Sequence, residues 1–263
     1  MRMMSAVASE PDPEKLIADI VGQIAGGMET TPIDLLLVFV TVTLQKHFPH
    51  IISELKQKTG ARLVMGSTAE SILGGKEEIE RQSGVSAMAM SMPGVTIDHF
   101  YFADEEWPEI LGETKTMRNR LEAGSDLRLF IMMGDPFTTP VVQLLDMCSH
   151  EFPNAPVVGG MASGIDRPGE TRLAVNDNVF SSGLIGVSFA GPVNVDCVVS
   201  QGCRPIGPVY DITAGHDNVI EQLNHQPAMS MVRDMMGHLS AQERRLVEQR
   251  GLQIGRVIDS RKD

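Results

Sequence analysis

Leu35-Leu36-Leu37-Val38-Phe39-Val40 is the longest apolar run in the chain, and it predicts a strand that is buried on both faces. The run is short and rich in branched side chains, which is typical of a strand in the middle of a layered sheet. Such a strand needs cover on both sides, so a layered fold follows. The run is also far shorter than the roughly 20 apolar residues of a membrane helix, so no membrane span is predicted.

The residues that follow predict a strand–helix–strand unit. Residues 49–58 place apolar side chains on one helical face and charged side chains on the other, and Gly60 ends this helix. Residues 61–65 then return as a second strand, which runs into Gly66-Ser67-Thr68. A β-α-β unit is the simplest interpretation of this order.

A hairpin completes the first predicted module. Segments 84–92 and 95–102 alternate and meet at the turn dipeptide Pro93-Gly94, so a hairpin is predicted there.

The same order of elements recurs in the second half of the chain. The later elements are a strand at 127–133, a helix at 140–147, a strand running into Gly159-Gly160 and a hairpin over 183–199. This match predicts an internal duplication over about 35–102 and 127–199. The alternative is coincidence, because any α/β protein alternates such elements.

The predicted fold class is α/β (α+β), with two similar β-α-β-β-β modules packed about a pseudo-two-fold, mixed sheets inside and helices outside. Residues 1–30 are expected to form an N-terminal helix and lead-in, because Asp12 can cap a helix and Pro13 suits its first turn. Residues 31–200 are expected to form one domain that holds the duplication. Residues 201–263 are expected to be a linker and the incomplete start of another domain.

The composition is acidic and argues against a nucleic-acid partner. The 263 residues include 22 Lys and Arg against 34 Asp and Glu, for a net charge of -12. Phosphate binding needs a clustered basic surface, and no run of Lys and Arg exceeds two residues.

The first eight residues lack the longer apolar region of a secretory signal, and three cysteines fit a reducing compartment. We expect a cytoplasmic protein with neither a nucleic-acid nor a membrane partner.

Common catalytic and metal-binding signatures do not occur in the sequence. It has no Gly-x-x-x-x-Gly-Lys-Ser/Thr, no Gly-x-Gly-x-x-Gly, no His-Glu-x-x-His and no Cys-x-x-Cys. The nearest approach to a nucleophile elbow is Gly84-Val85-Ser86-Ala87-Met88, which lacks the final glycine and has the pattern of a strand. The seven histidines are scattered without ligand spacing. We expect no catalytic residue, no metal and no cofactor, and therefore a protein that is not an enzyme.

Two short runs of small residues are the best candidates for a binding site. Small residues after a strand let the backbone approach a ligand, while hydroxyls and free amides supply hydrogen bonds. The candidate ligand-binding residues in these runs are Gly66, Ser67, Thr68, Gly159, Gly160, Met161 and Ser163. The alternative is that these residues serve only tight turning and close strand packing.

A third candidate is the loop that carries Cys203 and Arg204 between glycines and prolines. Arg204 could hold a carboxylate through two hydrogen bonds, and its charge could lower the pKa of the Cys203 thiol. The alternative is structural: the arginine bonds to loop carbonyls and the cysteine is a small buried residue.

Met88, Met90 and Met92 alternate on one strand and are interpreted as core.

Three runs together resemble the FIST family (F-box and intracellular signal transduction), in particular its N-terminal domain. They are Gly66-Ser67-Thr68-Ala69-Glu70, Gly159-Gly160-Met161-Ala162-Ser163 and Ser200-Gln201-Gly202-Cys203-Arg204-Pro205-Ile206-Gly207. The likeness covers about residues 33–229, followed by the start of a C-terminal FIST domain. The resemblance implies a sensory input domain that binds small ligands such as amino acids, alone or joined to signalling or F-box modules. It supplies no catalytic residues.

Three functional hypotheses follow. The first is a cytoplasmic domain that senses an amino acid-like ligand or small carboxylate through the two glycine-containing runs and the Cys203-Arg204 loop. The second is an interaction scaffold that recruits a signalling or ubiquitin-ligase partner through a methionine-rich surface at Met229 to Met236. The third is an enzyme that depends on the Cys203 thiol.

Overall fold

The chain folds as two compact units, Met1–Cys197 and Val198–Asp263. The structure is a computed structural model that describes residues 1–112, 116–121, 126–198, 205–216, 219–252 and 254–255. Both glycine-containing runs lie in the first unit, so the fold of that unit positions the candidate site. Cys203 and Arg204 lie outside the described residues.

The first 91 residues of unit one alternate strands and helices and end in a series of strands. Their bounds are β1 Arg2–Ala8, α1 Pro13–Met28, β2 Leu35–Thr41, α2 Phe48–Thr59, β3 Leu63–Ala69, β4 Ser71–Gly74, β5 Glu77–Glu80 and β6 Val85–Ser91. The Asp12 carboxylate caps α1 by accepting a hydrogen bond from the Glu14 N–H (3.0 Å), as the sequence predicted. Gly60, with a φ of +67°, ends α2. Strand β1 was not predicted.

The rest of unit one repeats this succession. The bounds are β7 Thr96–Phe102, α3 Trp107–Gly112, α4 Thr116–Arg120, β8 Leu127–Gly134, α5 Val141–Glu151, β9 Val157–Met161, β10 Leu173–Val175, β11 Asn178–Phe180 and β12 Leu184–Ala190. The buried apolar runs predicted as central strands are β2 and β8, and the helix predicted at 140–147 is the start of α5.

Two mixed sheets form the interior of the unit. The first has the order β1-β6-β2-β3-β10-β11, and the second has the order β7-β12-β8-β9. The β2–β3 and β8–β9 pairs are parallel, whereas the other neighbours in both sheets are antiparallel. β4 and β5 pair with each other as a separate hairpin.

Helices cover the outer face of each sheet, and the inner faces pack on each other. Three apolar clusters separate these layers. Leu16, Ile20, Phe48 and Ile51 of α1 and α2 pack with Val38, whereas Trp107, Ile110 and Leu144 of α3 and α5 pack with Phe130. Between the sheets lie Leu35, Leu37, Met65, Met133 and Ile185. The predicted α/β fold, with mixed sheets inside and helices outside, is confirmed.

The two halves share one strand order. β1-β6-β2-β3 in the first sheet corresponds to β7-β12-β8-β9 in the second, with the same directions at each pair. The Thr41 N–H donates to the Gly84 carbonyl at 3.0 Å, and the Asp135 N–H donates to the Gly183 carbonyl at 2.8 Å. Thr41 therefore corresponds to Asp135, and Gly84 corresponds to Gly183. This order bounds the halves at 1–91 and 96–190, rather than the expected 35–102 and 127–199.

The predicted hairpins are wrong. Met92 to Val95 do form a turn, since the Val95 N–H donates to the Met92 carbonyl at 3.1 Å. However, β6 pairs with β1 and β2 of the first sheet, whereas β7 pairs with β12 of the second. The turn therefore links the two sheets instead of closing a hairpin. Residues 193–198 form no strand with β12 either.

The second unit holds a small antiparallel sheet and two helices among its described residues. Their bounds are β13 Ile212–His216, β14 Val219–Leu223, β15 Gln226–Pro227, α6 Ala228–His238 and α7 Ala241–Arg250. A capping box of Ser240 and Glu243 starts α7. Across the described part of the chain, no helix combines the length and apolar character needed to cross a bilayer.

Candidate functional site

The first glycine-containing run lies inside β3 and is not the loop that the sequence predicted. Gly66, Ser67 and Thr68 are all buried. A Cβ at Gly66 would lie 2.6 Å from the Val38 carbonyl oxygen and 3.0 Å from Cδ1 of Ile52. Glycine at this position therefore lets α2 pack closely on the sheet. The chain becomes accessible to solvent just after this end of β3, where Glu70 is exposed.

The second run is accessible from solvent. Gly159 and Gly160 lie in β9 and are exposed, Met161 is half-buried, and Ser163 is exposed just beyond the strand. Gly159 has a φ of +143°, and a Cβ there would collide with the carbonyl of Met132. At Gly160 a Cβ would meet nothing within 4 Å. The backbone conformation and the nearby Met132 carbonyl thus require glycine at position 159, whereas Gly160 borders open space.

The two runs meet where β3 and β9 end. The Glu70 N–H donates to Oγ of Ser163 at 3.0 Å, and the Ser163 N–H donates to the Thr68 carbonyl at 3.4 Å. A Cβ at Gly164 would lie 3.0 Å from Cα of Glu70, so the two chain segments are in direct contact. We call residues 68–70 and 161–164 the junction.

A buried carboxylate, that of Asp135, lies directly after β8 and bonds to the chain segments around it. Asp135 is fully buried and accepts hydrogen bonds from the Thr138 hydroxyl (2.7 Å), the Phe137 N–H (3.2 Å) and the Thr171 hydroxyl. The Thr138 hydroxyl also accepts from the Gly183 N–H at 2.8 Å. Both oxygens of this carboxylate are occupied, so Asp135 holds the surrounding chain in place.

Thr171 and Arg172 connect that carboxylate to β3. Thr171, bonded to Asp135, is followed by Arg172, whose carbonyl accepts from the Thr68 N–H at 2.9 Å. The Arg172 guanidinium donates to the carbonyls of Gly169 (3.0 Å) and Thr171 (2.7 Å). The loop between β9 and β10 is therefore fixed at both ends, with Ser163 at one and Thr171 at the other.

Sequence reasoning missed Asp135, although a signal was available. Asp135 directly follows a buried apolar strand, at the same edge of the sheet where the parallel strand β9 ends. Polar side chains at the carboxyl ends of parallel strands commonly line sites. The role of Thr171 had no comparable local signal, because its partner is 36 positions away along the chain.

The cysteines differ in environment. Cys148 is buried on α5, and burial raises the pKa of its thiol to about 12. Cys197 is exposed. The predicted contribution of Cys203 and Arg204 to the site falls outside the described residues and stays a prediction.

The junction offers side-chain groups that can form hydrogen bonds. Ser163 presents a hydroxyl and Glu70 presents an exposed carboxylate, and next to the junction Gly160 borders open space. Among the described residues, no group of three or more His, Cys, Asp and Glu side chains could hold a metal ion.

In the second unit, two depressions of about 370 and 300 Å³ are lined only by residues 239–249, which makes them surface features along α7.

Comparison with protein families matches residues 34–226 to the FIST N domain. The chain therefore belongs to the FIST family, as the three sequence runs suggested. Uncharacterized proteins from two strains of Mycobacterium tuberculosis are 30% identical to it over 263 residues, covering 98% of this chain and 66% of theirs. A Mycobacterium bovis protein is 30% identical over 262 residues, covering 98% and 65%. The chain thus spans just under two thirds of the length of these relatives.

Among solved structures, a cyanuric acid hydrolase from A. caulinodans aligns with 73% of this chain and 71% of its own. The sequence identity is 9% and the TM-score is 0.33.

Proposed function

We propose that this chain is a ligand-binding input domain of a signal transduction protein, and that it binds an amino acid or small carboxylate at the junction. The observation that carries the proposal is the hydrogen bonding of Ser163 to Thr68 and Glu70, which brings the ends of β3 and β9 together. Membership of the FIST family supports the sensory role.

The chemistry of the junction favours a small polar ligand. The exposed Glu70 carboxylate is a partner for an ammonium group, and the Ser163 hydroxyl can bond to a carboxylate or carbonyl. Open space at Gly160 lets a ligand approach the backbone. The buried residues Gly66, Ser67 and Thr68 act in this proposal by shaping the end of β3. We also propose a binding role rather than catalysis, with Asp135 holding the surrounding chain through its bonds to Thr138, Phe137 and Thr171.

Thermal unfolding with a panel of amino acids and small carboxylates tests this function. A ligand present at 100 times its Kd stabilises the folded state by about 2.7 kcal/mol. For a domain of this size, that raises Tm by roughly 5–10 °C. Replacement Gly160→Leu fills the open space and should abolish the shift while leaving the Tm without ligand nearly unchanged.

Gly22→Leu is the matched control, because Gly22 is exposed on α1 and a Cβ there also meets nothing within 4 Å. It should keep the full ligand-induced shift. The proposal fails if no compound shifts the wild-type Tm, or if the shift survives in Gly160→Leu.

One observation favours the interaction-scaffold hypothesis as a second candidate. Met229 on α6 is 70% exposed, as a methionine-rich docking surface requires. Met235 on the same helix is buried, with its sulfur beside Gly207. The replacement Met229→Lys should weaken recruitment of a signalling partner if this helix is the docking surface, and binding assays with full-length relatives would measure it.

A further inference from the structure

Within the described part of the chain, the outer edge of β9 has no strand corresponding to the one that its counterpart, β3, carries. In the first sheet, the outer edge of β3 is paired antiparallel with β10, with Leu173 opposite Ser67 and Val175 opposite Met65. In the second sheet β9 is the last strand, and none of the described strands pairs with its outer side. The shared strand order and directions of the two halves make these edges equivalent.

Strand β10 also covers apolar surface of the opposite sheet. Leu173 and Val175 are buried in the cluster between the sheets, together with Val187 of β12 and Ile97 of β7. Val187 is 0% exposed and Ile97 is 6% exposed. Phe180 of the adjoining β11 stacks on Tyr101 with ring centres 3.6 Å apart.

The equivalent positions in the first half are uncovered. Since Gly84 corresponds to Gly183, Met88 corresponds to Val187, and the β1–β6 register places Met3 where Ile97 lies. Met88, which the sequence pattern placed in the core, is 40% exposed, and Met3 is 51% exposed. Val158, on β9 itself, is 37% exposed. Apolar residues are therefore exposed where a strand would lie if it paired with β9 as β10 pairs with β3.

The chain's own hairpin does not fill this place. β4 and β5 occupy the same position in the chain order as β10 and β11, but β4 lies against β1, β2 and β6 of its own sheet. Ile72 and Ile79 of this hairpin are buried, and their side chains pack within about 3 Å of the Cβ position of Gly84. Folding back in this way leaves the outer edge of β9 unpaired among the described strands.

The backbone of β9 is oriented to receive a strand. The Phe130 N–H donates to the Pro156 carbonyl, and the Ala162 N–H donates to the Gly134 carbonyl, both at 2.9 Å. The even-numbered residues of β9 thus bond to β8, and Val157 and Met161 turn their N–H and C=O groups outward.

We propose that the outer edge of β9, together with Met3, Met88 and Val158, is a docking site for an extended peptide segment of a partner protein. The segment adds antiparallel to β9 and directs alternate branched apolar side chains onto the two methionines, as β10 does at β3. Flexible methionine side chains adapt to such a ligand. This edge adjoins the small-ligand junction at Met161, but the docking proposal does not require a ligand there.

A synthetic peptide with the sequence of Thr171–Phe180, labelled with a fluorophore, tests the proposal by fluorescence anisotropy. The wild-type protein should bind it, and a scrambled peptide should not bind. Met88→Lys should weaken binding at least tenfold, because the ammonium would be buried beneath the added strand. Val142→Lys, which changes a residue 74% exposed on α5, is the matched control and should bind like the wild type.

Hydrogen exchange supplies an independent readout, since the Met161 amide should be protected when the peptide is bound. The proposal is overturned if the wild type does not bind, or if Met88→Lys binds as tightly, which would place the peptide at β3. It is also overturned if sedimentation shows a wild-type dimer that Met88→Lys dissociates, because a second copy would then occupy the edge.

Discussion

Ser163 and Glu70 occupy equivalent positions in the two halves of the first unit and are bonded directly to each other. In the strand registers Val40 pairs with Thr68 and Gly134 pairs with Met161, so the residues two positions further on correspond. The Glu70 N–H lies 3.0 Å from Oγ of Ser163. The contact therefore joins the halves at the point where their equivalent strands end.

Removing this hydroxyl should loosen the junction. Ser163→Ala leaves the Glu70 N–H without its partner, and we expect the free energy of unfolding to fall by about 1 kcal/mol. Hydrogen exchange at the Glu70 amide should accelerate, and denaturant titration measures the stability. Ser149→Ala removes a hydroxyl that bonds within α5 and should leave the Glu70 amide unchanged. Equal exchange at Glu70 in both variants would contradict the assigned contact.

The two neighbouring glycines of β9 should differ in how far alanine lowers the free energy of unfolding. Gly159→Ala places a Cβ against the Met132 carbonyl at a φ of +143°, and should lower the free energy of unfolding by roughly 2–4 kcal/mol. Gly160→Ala meets open space and should change it by less than about 0.5 kcal/mol. Urea unfolding of the two variants provides the comparison. A similar loss in both would show that β9 has another backbone conformation.

Asp135 should be a major determinant of stability around the β9–β10 loop. Asp135→Ala removes the acceptor for Thr138, Phe137 and Thr171 in a buried site, and should cost roughly 2–4 kcal/mol. Asp177→Ala is the control, because Asp177 is exposed and pairs only at the surface with Lys56. Its cost should stay below about 1 kcal/mol. Equal losses in the two variants would remove Asp135 from its assigned role.

Cys148 should resist alkylation in the folded protein. With its pKa raised to about 12 by burial, its thiolate fraction at pH 8 is roughly a thousandfold below that of an ordinary thiol. Iodoacetamide labelling followed by peptide mapping should modify the exposed Cys197 and spare Cys148 until the protein is unfolded. The same map reports the reactivity of Cys203 and so tests the thiol-enzyme hypothesis. Rapid labelling of native Cys148 would contradict its burial.

The same thiol gives a pH dependence of stability. The folded pKa of Cys148 lies above its ordinary value of 9.0, so the folded state favours the protonated thiol. The resulting stabilisation is fully present below pH 9 and is lost as pH rises towards 12. Cys148→Ala should be less stable at neutral pH because of the cavity, but its stability should fall less steeply over this alkaline range. If the stability of the wild type and of Cys148→Ala fell equally steeply over this pH range, the Cys148 thiol would make no such contribution.

Some parts of the site were predictable and others were not. The sequence singled out Gly159 and Gly160 as candidate binding residues; both are exposed, and their role in binding stays a prediction. Gly66 to Thr68 were expected in a loop, but pairing with β10 extends β3 through them. That partner strand lies about a hundred residues later, since Thr68 and Arg172 are 104 positions apart. A pattern read within a short window contains no information about such a partner.

The sequence by itself determined the elements whose causes are local. The apolar run at Leu35 predicted a central strand, Asp12 and Pro13 predicted the start of α1, and the turn at Pro93-Gly94 was present where expected. Only the tertiary structure decided which sheet each strand joins, how β9 acquires an open edge and why Asp135 is buried. The physical reason is that capping and turn formation depend on neighbouring residues, whereas strand pairing and burial depend on surfaces that meet only when distant segments fold together.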